Sequence, residues 1–358
     1  MTGPRLGVVV VGTGFGCRVH VPAVRAAGLH VVALVGRDRE RAARRAERSG
    51  IDKACGSLNE ALQLPHSDIV VIATPPITHA ELAEEAMAAG RHVLVEKPFT
   101  TTLGEAQRLA DAAREAGVVA LVGHEFRFAP ERVTFRQAVH DGLVGMPRIA
   151  SFVGHLPLVA PLDMKAPPWW FDPARGGGWL GASVSHLVDA IRCWLGEFDS
   201  VSAALPMVSD RDPGTHAEDT AAARFRLRSG CEGILQQSAG VWGERIEIIR
   251  VAGPFGTLTL DGDTVTLANQ EGTEQLEPIG PPSPVDVAPS DDPRHQFTHI
   301  ELGPATVQAG ILRDLARGAG PGYDAVPPAT FADGLACMKV LDAIRRSAAQ
   351  GGAVTATG

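Results

Sequence analysis

The sequence predicts an α/β protein: an N-terminal doubly wound parallel sheet, followed by an α+β part built on a large, open, mostly antiparallel sheet. Three observations predict it. Short apolar runs alternate with helix-compatible segments between residues 8 and 122, as strands joined by crossover helices do. A glycine turn, Gly12-Thr13-Gly14-Phe15-Gly16, follows the first run. Beyond Val201, strand-like segments follow one another on short turns with no helix between them, which antiparallel pairing permits.

With 358 residues the chain can fill two domains, which we divide at 1–123 and 124–358. The net charge is −8 and no basic block stands out, which speaks against nucleic-acid and anionic-membrane partners. Cys17, Cys55, Cys193, Cys231 and Cys337 form no CxxC pair. They read as free thiols in a reducing compartment rather than as a disulfide framework or a zinc site. No apolar run reaches the ~20 residues of a spanning helix. Glycines interrupt the N-terminal run before it could serve as a signal segment. A soluble, cytoplasmic protein is expected.

Residues 8–11 are four consecutive valines, a buried parallel strand. The turn that follows joins a strand to a helix, gathering backbone N–H groups and a positive helix end where a diphosphate can bind. Gly12 allows the tight turn and Gly14 close approach of phosphates, whereas Cys17 stands where a third glycine is usual. Residues 31–35 form a second strand and 38–49 a charged helix ended by Gly50. An acid at the end of that strand would bind the ribose 2′-hydroxyl, but Gly36 and Arg37 stand there. A guanidinium without the acid favours NADP over NAD. The alternative is that Arg37 only stacks on adenine or stays solvated.

Residues 69–73 are the next strand, ending in Thr74-Pro75-Pro76, and His79 opens a helix that runs to Gly90. Residues 92–95 are another strand, ending in Glu96-Lys97-Pro98; a helix closes at 111–117, and 118–122 form the last strand of the sheet. Ligands of such sheets sit beyond the carboxyl ends of the strands. Gly14, Thr74, Pro75, Glu96, Lys97 and His124 all fall there. The Lys97 ammonium, held by Glu96, could polarise a substrate oxygen.

These motifs together, the glycine turn with His20-Val21-Pro22-Ala23, then Ala73-Thr74-Pro75-Pro76 with His79, then Glu96-Lys97-Pro98, resemble the Gfo/Idh/MocA oxidoreductases. The resemblance spans nearly the whole chain. It implies a Rossmann domain binding NAD or NADP through Gly12, Thr13, Gly14, Phe15, Gly16, Arg37, Thr74, Pro75, His79, Glu96 and Lys97. It further implies an active-site Lys97 and an often cis Pro98. The family's second domain commonly forms the oligomer contact through its open sheet, so a homodimer or homotetramer is expected.

Past the first sheet, His124 and Arg127 lie in a stretch that lines the family's substrate cleft, although Arg127 could equally brace the domain junction. Residues 129–141 read as a linking helix, 147–154 as a strand and 157–173 as a rigid, proline-rich loop. Trp169 and Trp170 in that loop suit stacking on a sugar or cyclitol ring, or equally plugging a core. Gly176-Gly177-Gly178 would let backbone approach a ligand. His186 and Asp189, three apart, share a face of the following helix. Imidazole can take or return a hydroxyl proton near neutrality. The family's glycine–histidine–aspartate pattern matches at Gly176, Gly177, Gly178, Leu180, His186 and Asp189, but its intervening aspartate and glycine fall on Ala182 and Val184. Lys97 and His186 are therefore expected as the catalytic pair, with His124, Arg127, Trp169, Trp170 and Asp189 toward substrate.

Strands are expected at 220–227, 231–237, 246–252, 256–260 and 265–267, a polar excursion at 273–292, and closing helices at 297–317 and 329–349. His295 and His299 lack a third partner in the sequence, so no metal site is assigned. The expected reaction moves hydride between a nicotinamide and a secondary alcohol or ketone of a sugar, cyclitol or polyol. Two alternatives keep the fold: nicotinamide-assisted glycoside hydrolysis, which Ala182 makes worth carrying, and a non-catalytic dinucleotide sensor.

Overall fold

The computed structural model describes residues 5–164, 166–279, 297–320 and 326–358, with the single positions 285, 287, 288, 290 and 295. It divides into two compact units, one of Met1–Ala129 with Pro281–Leu335 and one of Pro130–Gly280 with Ala336–Gly358.

The first unit holds β1 (Gly7–Val11), β2 (His30–Val35), β3 (Ala54–Cys55), β4 (Ile69–Ile72), β5 (His92–Val95) and β6 (Ala120–Val122). They lie in the order β3-β2-β1-β4-β5-β6, every pair parallel. The order reverses between β1 and β4, and a crevice opens at such a point. Val8, Val9 and Val10 are wholly buried. Each such side chain contributes roughly 1.5–3 kcal/mol over exposure, which is why this run can only be a central strand. The crossovers are α1 (Val21–Ala26), α2 (Arg39–Arg48), α3 (Leu58–Leu62), α4 (His79–Ala88) and α5 (Leu103–Ala116). Asp38 and Ser57 cap α2 and α3 by accepting backbone N–H groups, and Thr102 with Glu105 forms a reciprocal box at the start of α5.

The second unit contains α6 (Pro130–His140), β7 (Ile149–His155), α7 (Ser185–Leu195), β8 (Phe198–Ala204), β9 (Thr220–Leu227), β10 (Glu232–Ser238), β11 (Ile246–Ala252), β12 (Thr257–Asp261), β13 (Thr264–Asn269), β14 (Gly272–Gln275) and β15 (Thr355–Ala356). Its sheet runs β14-β13-β12-β11-β7-β10-β9-β8-β15, antiparallel except where β7 lies parallel to β10. The helices close with α8 (Thr298–Ala316) and α9 (Phe331–Ala349).

Several elements differ from the sequence-based expectation. The short β3 and α3 were not expected, and neither were β8 or the closing β15. The helix closing at 117 begins at Leu103. The polar stretch 273–292 starts as the edge strand β14; within it, 280–284, 286, 289 and 291–292 lie outside the described residues. α8 belongs to the first unit: Gln308 Nε2 donates to the Val122 carbonyl (2.8 Å) and Arg313 to that of Ala27 (2.6 Å). Leu302 and Ala305 pack on Val19 and Ala23. Among the described residues, no helix is long and apolar enough to cross a membrane.

Candidate active site

Three neighbouring strands, β1, β4 and β5, end at one edge of the first sheet, and most of the expected site follows their last residues. Gly12 sits at φ +121°, a conformation side chains avoid, and a Cβ there would overlap the Ala73 carbonyl oxygen. Gly14 is exposed, and a Cβ built on it meets no atom within 4 Å. Open backbone at this position fits a diphosphate coming close to the turn. At Gly16 a Cβ would lie 2.9 Å from Val10 Cγ1. The tight helix-on-strand packing expected of a third glycine thus falls on Gly16, not on position 17. The reason is local: Gly16–His20 is a wide π-type turn before α1, and Cys17 packs half-buried at the edge of the core.

Phe15 meets the His20 ring edge-on at 5.4 Å, with the Arg18 guanidinium 5.1 Å from its centroid. Thr13 lies against Gly36, where a Cβ would stand 2.8 Å from the threonine methyl. The end of β2 is therefore too tight for the usual acid unless Thr13 turns away. Arg37, next in the chain, is exposed.

After β4, the Thr78 hydroxyl donates to Thr74 Oγ1 (2.7 Å) and Pro75 O (2.9 Å). His79 is wholly buried, its ring nitrogens facing the carbonyl oxygens of Thr74 (2.9 Å), Pro98 (3.0 Å) and Phe99 (3.2 Å). Burial pushes its pKa below the ordinary imidazole value against the pull of those carbonyls. His79 thus ties the loop after β4 to the loop after β5 and offers no ring atom to solvent.

The Lys97–Pro98 peptide is cis. Lys97 is half-buried, and its backbone N–H donates to Glu96 Oε2 (3.1 Å). The other Glu96 oxygen accepts from His20 Nε2 at 2.8 Å, both side chains being buried. Burial penalises the Glu96 charge, but the His20 hydrogen bond and the charges of His20 and Lys97 outweigh it and hold the carboxyl below its ordinary 4.5. Such a group stabilises the fold above its unfolded pKa, and that contribution is lost as pH falls. We therefore expect Glu96→Gln to cost about 3 kcal/mol at neutral pH, with the gap to wild type closing below about pH 4.5. Urea denaturation across that range measures it.

Two acids that sequence reasoning missed join this cluster. Glu125, in the short turn Glu125–Phe128 after β6, is buried, and its Oε2 has no hydrogen-bond partner. Glu301, on α8, lies 3.1 Å from Arg18 without hydrogen-bond alignment, and burial pushes its pKa up against the Arg18 charge. Neither carried a motif; only the sheet's closure brings them to Lys97. His124, which precedes Glu125 in the chain, is buried. Arg127 is buried too, donating to Pro327 O (3.0 Å) and pairing with Asp333 (3.5 Å), which supports bracing within the first unit.

In the second unit His186 and Asp189 are buried on α7, after a wide turn at Leu180–Val184. The glycine run before it meets the protein itself. A Cβ at Gly177 would overlap the carbonyls of Trp169 and Trp170, and one at Gly178 the Glu218 carboxyl. That carboxyl accepts from Leu180 N at 3.2 Å. Trp169 and Trp170 are half-buried, in edge contact at 6.2 Å. Trp170 lines a small crevice with Trp179, Ala182 and Glu218.

Comparison with known proteins shows the family. Residues 6–124 match the model of an oxidoreductase family with an NAD-binding Rossmann fold, and 133–259 match the GFO/IDH/MocA C-terminal domain. An uncharacterised oxidoreductase of Synechocystis is 31% identical, covering 73% of each chain. The chain belongs to the Gfo/Idh/MocA oxidoreductase family. A 1,5-anhydro-D-fructose reductase of Ensifer adhaerens is a further relative in this family, 32% identical over 73% of this chain and 79% of its own. The Gfo/Idh/MocA fold also aligns with a levoglucosan dehydrogenase solved with NADH and levoglucosan, at TM-score 0.85 and 21% identity, over 99% of this chain and all of that one.

Proposed function

We propose that the chain oxidises a secondary alcohol, or reduces the matching ketone, on a sugar, cyclitol or related polyol. The supporting observation is the shared edge of β1, β4 and β5, where the open Gly14 turn and the Glu96-held Lys97 follow neighbouring strands. The relatives act, by their names, on 1,5-anhydro-D-fructose and levoglucosan, which favours a carbohydrate ring as substrate.

A bound nicotinamide dinucleotide would supply the hydride acceptor or donor. Gly12, Thr13, Gly14, Phe15 and Gly16 hold the diphosphate; Thr74 and Pro75 flank the nucleotide, with His79 fixing their loop. Lys97 carries its ammonium to the substrate oxygen and stabilises the charge that develops there. His186, with Asp189 on its helix face, takes or returns the hydroxyl proton. His124, Trp169 and Trp170 are assigned to substrate contact. A second copy docks on the nine-stranded sheet, where Ile149, Ile234 and Ile246 stand exposed on adjacent strands. A cytoplasmic location suits the free cysteines.

We assign the adenosine end to NADP, because Arg37 is free to reach a 2′-phosphate and Gly36 supplies no opposing carboxylate. A screen of sugars, cyclitols and their keto forms with each cofactor, read by reduced-nicotinamide absorbance, tests both points. Turnover on a polyol with NADP is the expected result; cofactor binding with no turnover on any of them would overturn the enzymatic reading. Arg37→Ala should weaken NADP binding about tenfold and leave NAD unchanged.

A further inference from the structure

The small crevice of the second unit is lined by Trp170, Phe171, Trp179, Arg211, Glu218 and Asp219. Asp219 and Arg211 are spent on the protein itself. Asp219 accepts from Val208 N (2.9 Å), Ser209 N (2.8 Å) and the Thr220 hydroxyl (2.8 Å). Arg211 donates to the carbonyls of Val159 and Pro161 and to Ser209 Oγ, with its guanidinium 4.8 Å from the Phe171 centroid. Glu218 is different. Its Oε1 lies against Gly178 and accepts from Leu180 N at 3.2 Å, while no donor among the described residues reaches Oε2. Trp179 is 6% exposed, and its Nε1–H has no acceptor. One crevice thus has an unpaired donor and an unpaired acceptor on its walls.

A buried donor left unpaired costs roughly 1–3 kcal/mol, so what fills the crevice should serve both groups. The space is about that of one water molecule. A hydroxyl accepts and donates at once. An ammonium could serve only Glu218, a carboxylate only Trp179 and against the Glu218 charge, and a methyl group neither. The aromatic walls suit the C–H face of a ring that carries the hydroxyl. We propose that this crevice is a subsite for one hydroxyl of the substrate, which accepts from Trp179 Nε1–H and donates to Glu218 Oε2. It is not the hydroxyl that reacts: Ala182, four residues before His186, lines the crevice, but His186 is not among its walls. The inference rests on the polyol reading and narrows it to substrates with a second, free hydroxyl.

The five tryptophans give five indole N–H resonances, which NMR follows in the full chain. Reduced dinucleotide is present, so no alcohol finds a hydride acceptor. D-Glucose, D-xylose, myo-inositol and glycerol are titrated in turn. At least one of the ring polyols should move the Trp179 signal saturably and leave that of Trp194, packed on Phe135 and Phe152, in place. Trp179→Phe assigns the signal and should weaken the Kd of that polyol about tenfold. Glu218→Gln, whose carbonyl can still accept from Leu180 N, should weaken it about as much by losing the charge-assisted bond. If W179F does not fold, the signal is assigned by elimination and E218Q alone carries the binding test. A Trp179 signal that no probe moves, as when a fixed water fills the crevice, would overturn the proposal, and so would an unchanged Kd in either folded variant. A polyol that moves Trp179 but is never turned over would leave the subsite standing and sink the enzymatic reading; turnover in the screen with no movement of Trp179 would do the reverse.

Discussion

Lys97→Ala should lower kcat about a thousandfold while the Kd for the reduced dinucleotide stays within about threefold. The split follows from where Lys97 stands. The residues proposed to hold the cofactor's diphosphate belong to the turn after β1, whereas Lys97 follows β5, two strands away in the sheet. Its backbone is already fixed by Glu96 and by the loop that His79 ties down, so removing the side chain leaves the cradle standing. What is lost, on the proposed role, is a cation at the oxygen that gains charge during hydride transfer, an interaction worth most when the charge is fully developed. Titration of dinucleotide fluorescence gives the Kd, and steady-state kinetics on the screened substrate give kcat. Near-normal turnover in the variant would remove Lys97 from the mechanism.

The second large effect separates two glycines of one motif. Gly12→Ala should destabilise the protein by about 3 kcal/mol or more, because the new methyl group meets the Ala73 carbonyl at a φ that L-residues avoid. In thermal melts this is a fall of roughly 6–12 °C. Gly14→Leu should melt within about 2 °C of wild type, since nothing lies within 4 Å of its Cβ. Its cost appears in binding instead, with dinucleotide affinity down at least about tenfold as the side chain fills the approach. A Gly14→Leu variant that binds as wild type does would dismiss the turn as the phosphate site.

Much of this was legible in the residues. Valine runs bounded by glycine and proline announce buried parallel strands, and β1, β2, β4 and β5 lie where those runs are. Repeated strands without intervening helices announced the second sheet. The short β3 was not legible because two residues carry no periodicity. Nor was β14, whose four residues are all exposed. Gly16, rather than position 17, packs against β1, and the π-type turn there leaves no mark in a single sequence. The site was legible where a motif carried it, as at Gly12 or Lys97. It was illegible where the partner lay far along the chain: His20 and Glu96 are 76 positions apart, and Glu301 sits on a helix whose apolar spacing says only that it packs. Gly177 and Gly178 were read as room for a ligand, but the same lack of side chain serves the protein's own carbonyls and the Glu218 carboxyl.

The placement of α8 bears on how the chain comes off the ribosome. Val19, Ala23, the Val122 carbonyl and the Ala27 carbonyl all find their partners on that helix, which is translated only after every strand of the second sheet but the last, β15. The nucleotide-binding half therefore cannot complete its packing as a nascent N-terminal piece. It must wait, part-covered, until some three hundred residues have been made, so vectorial synthesis offers it little protection, and an early stop would leave its crossover face bare to chaperones and proteases.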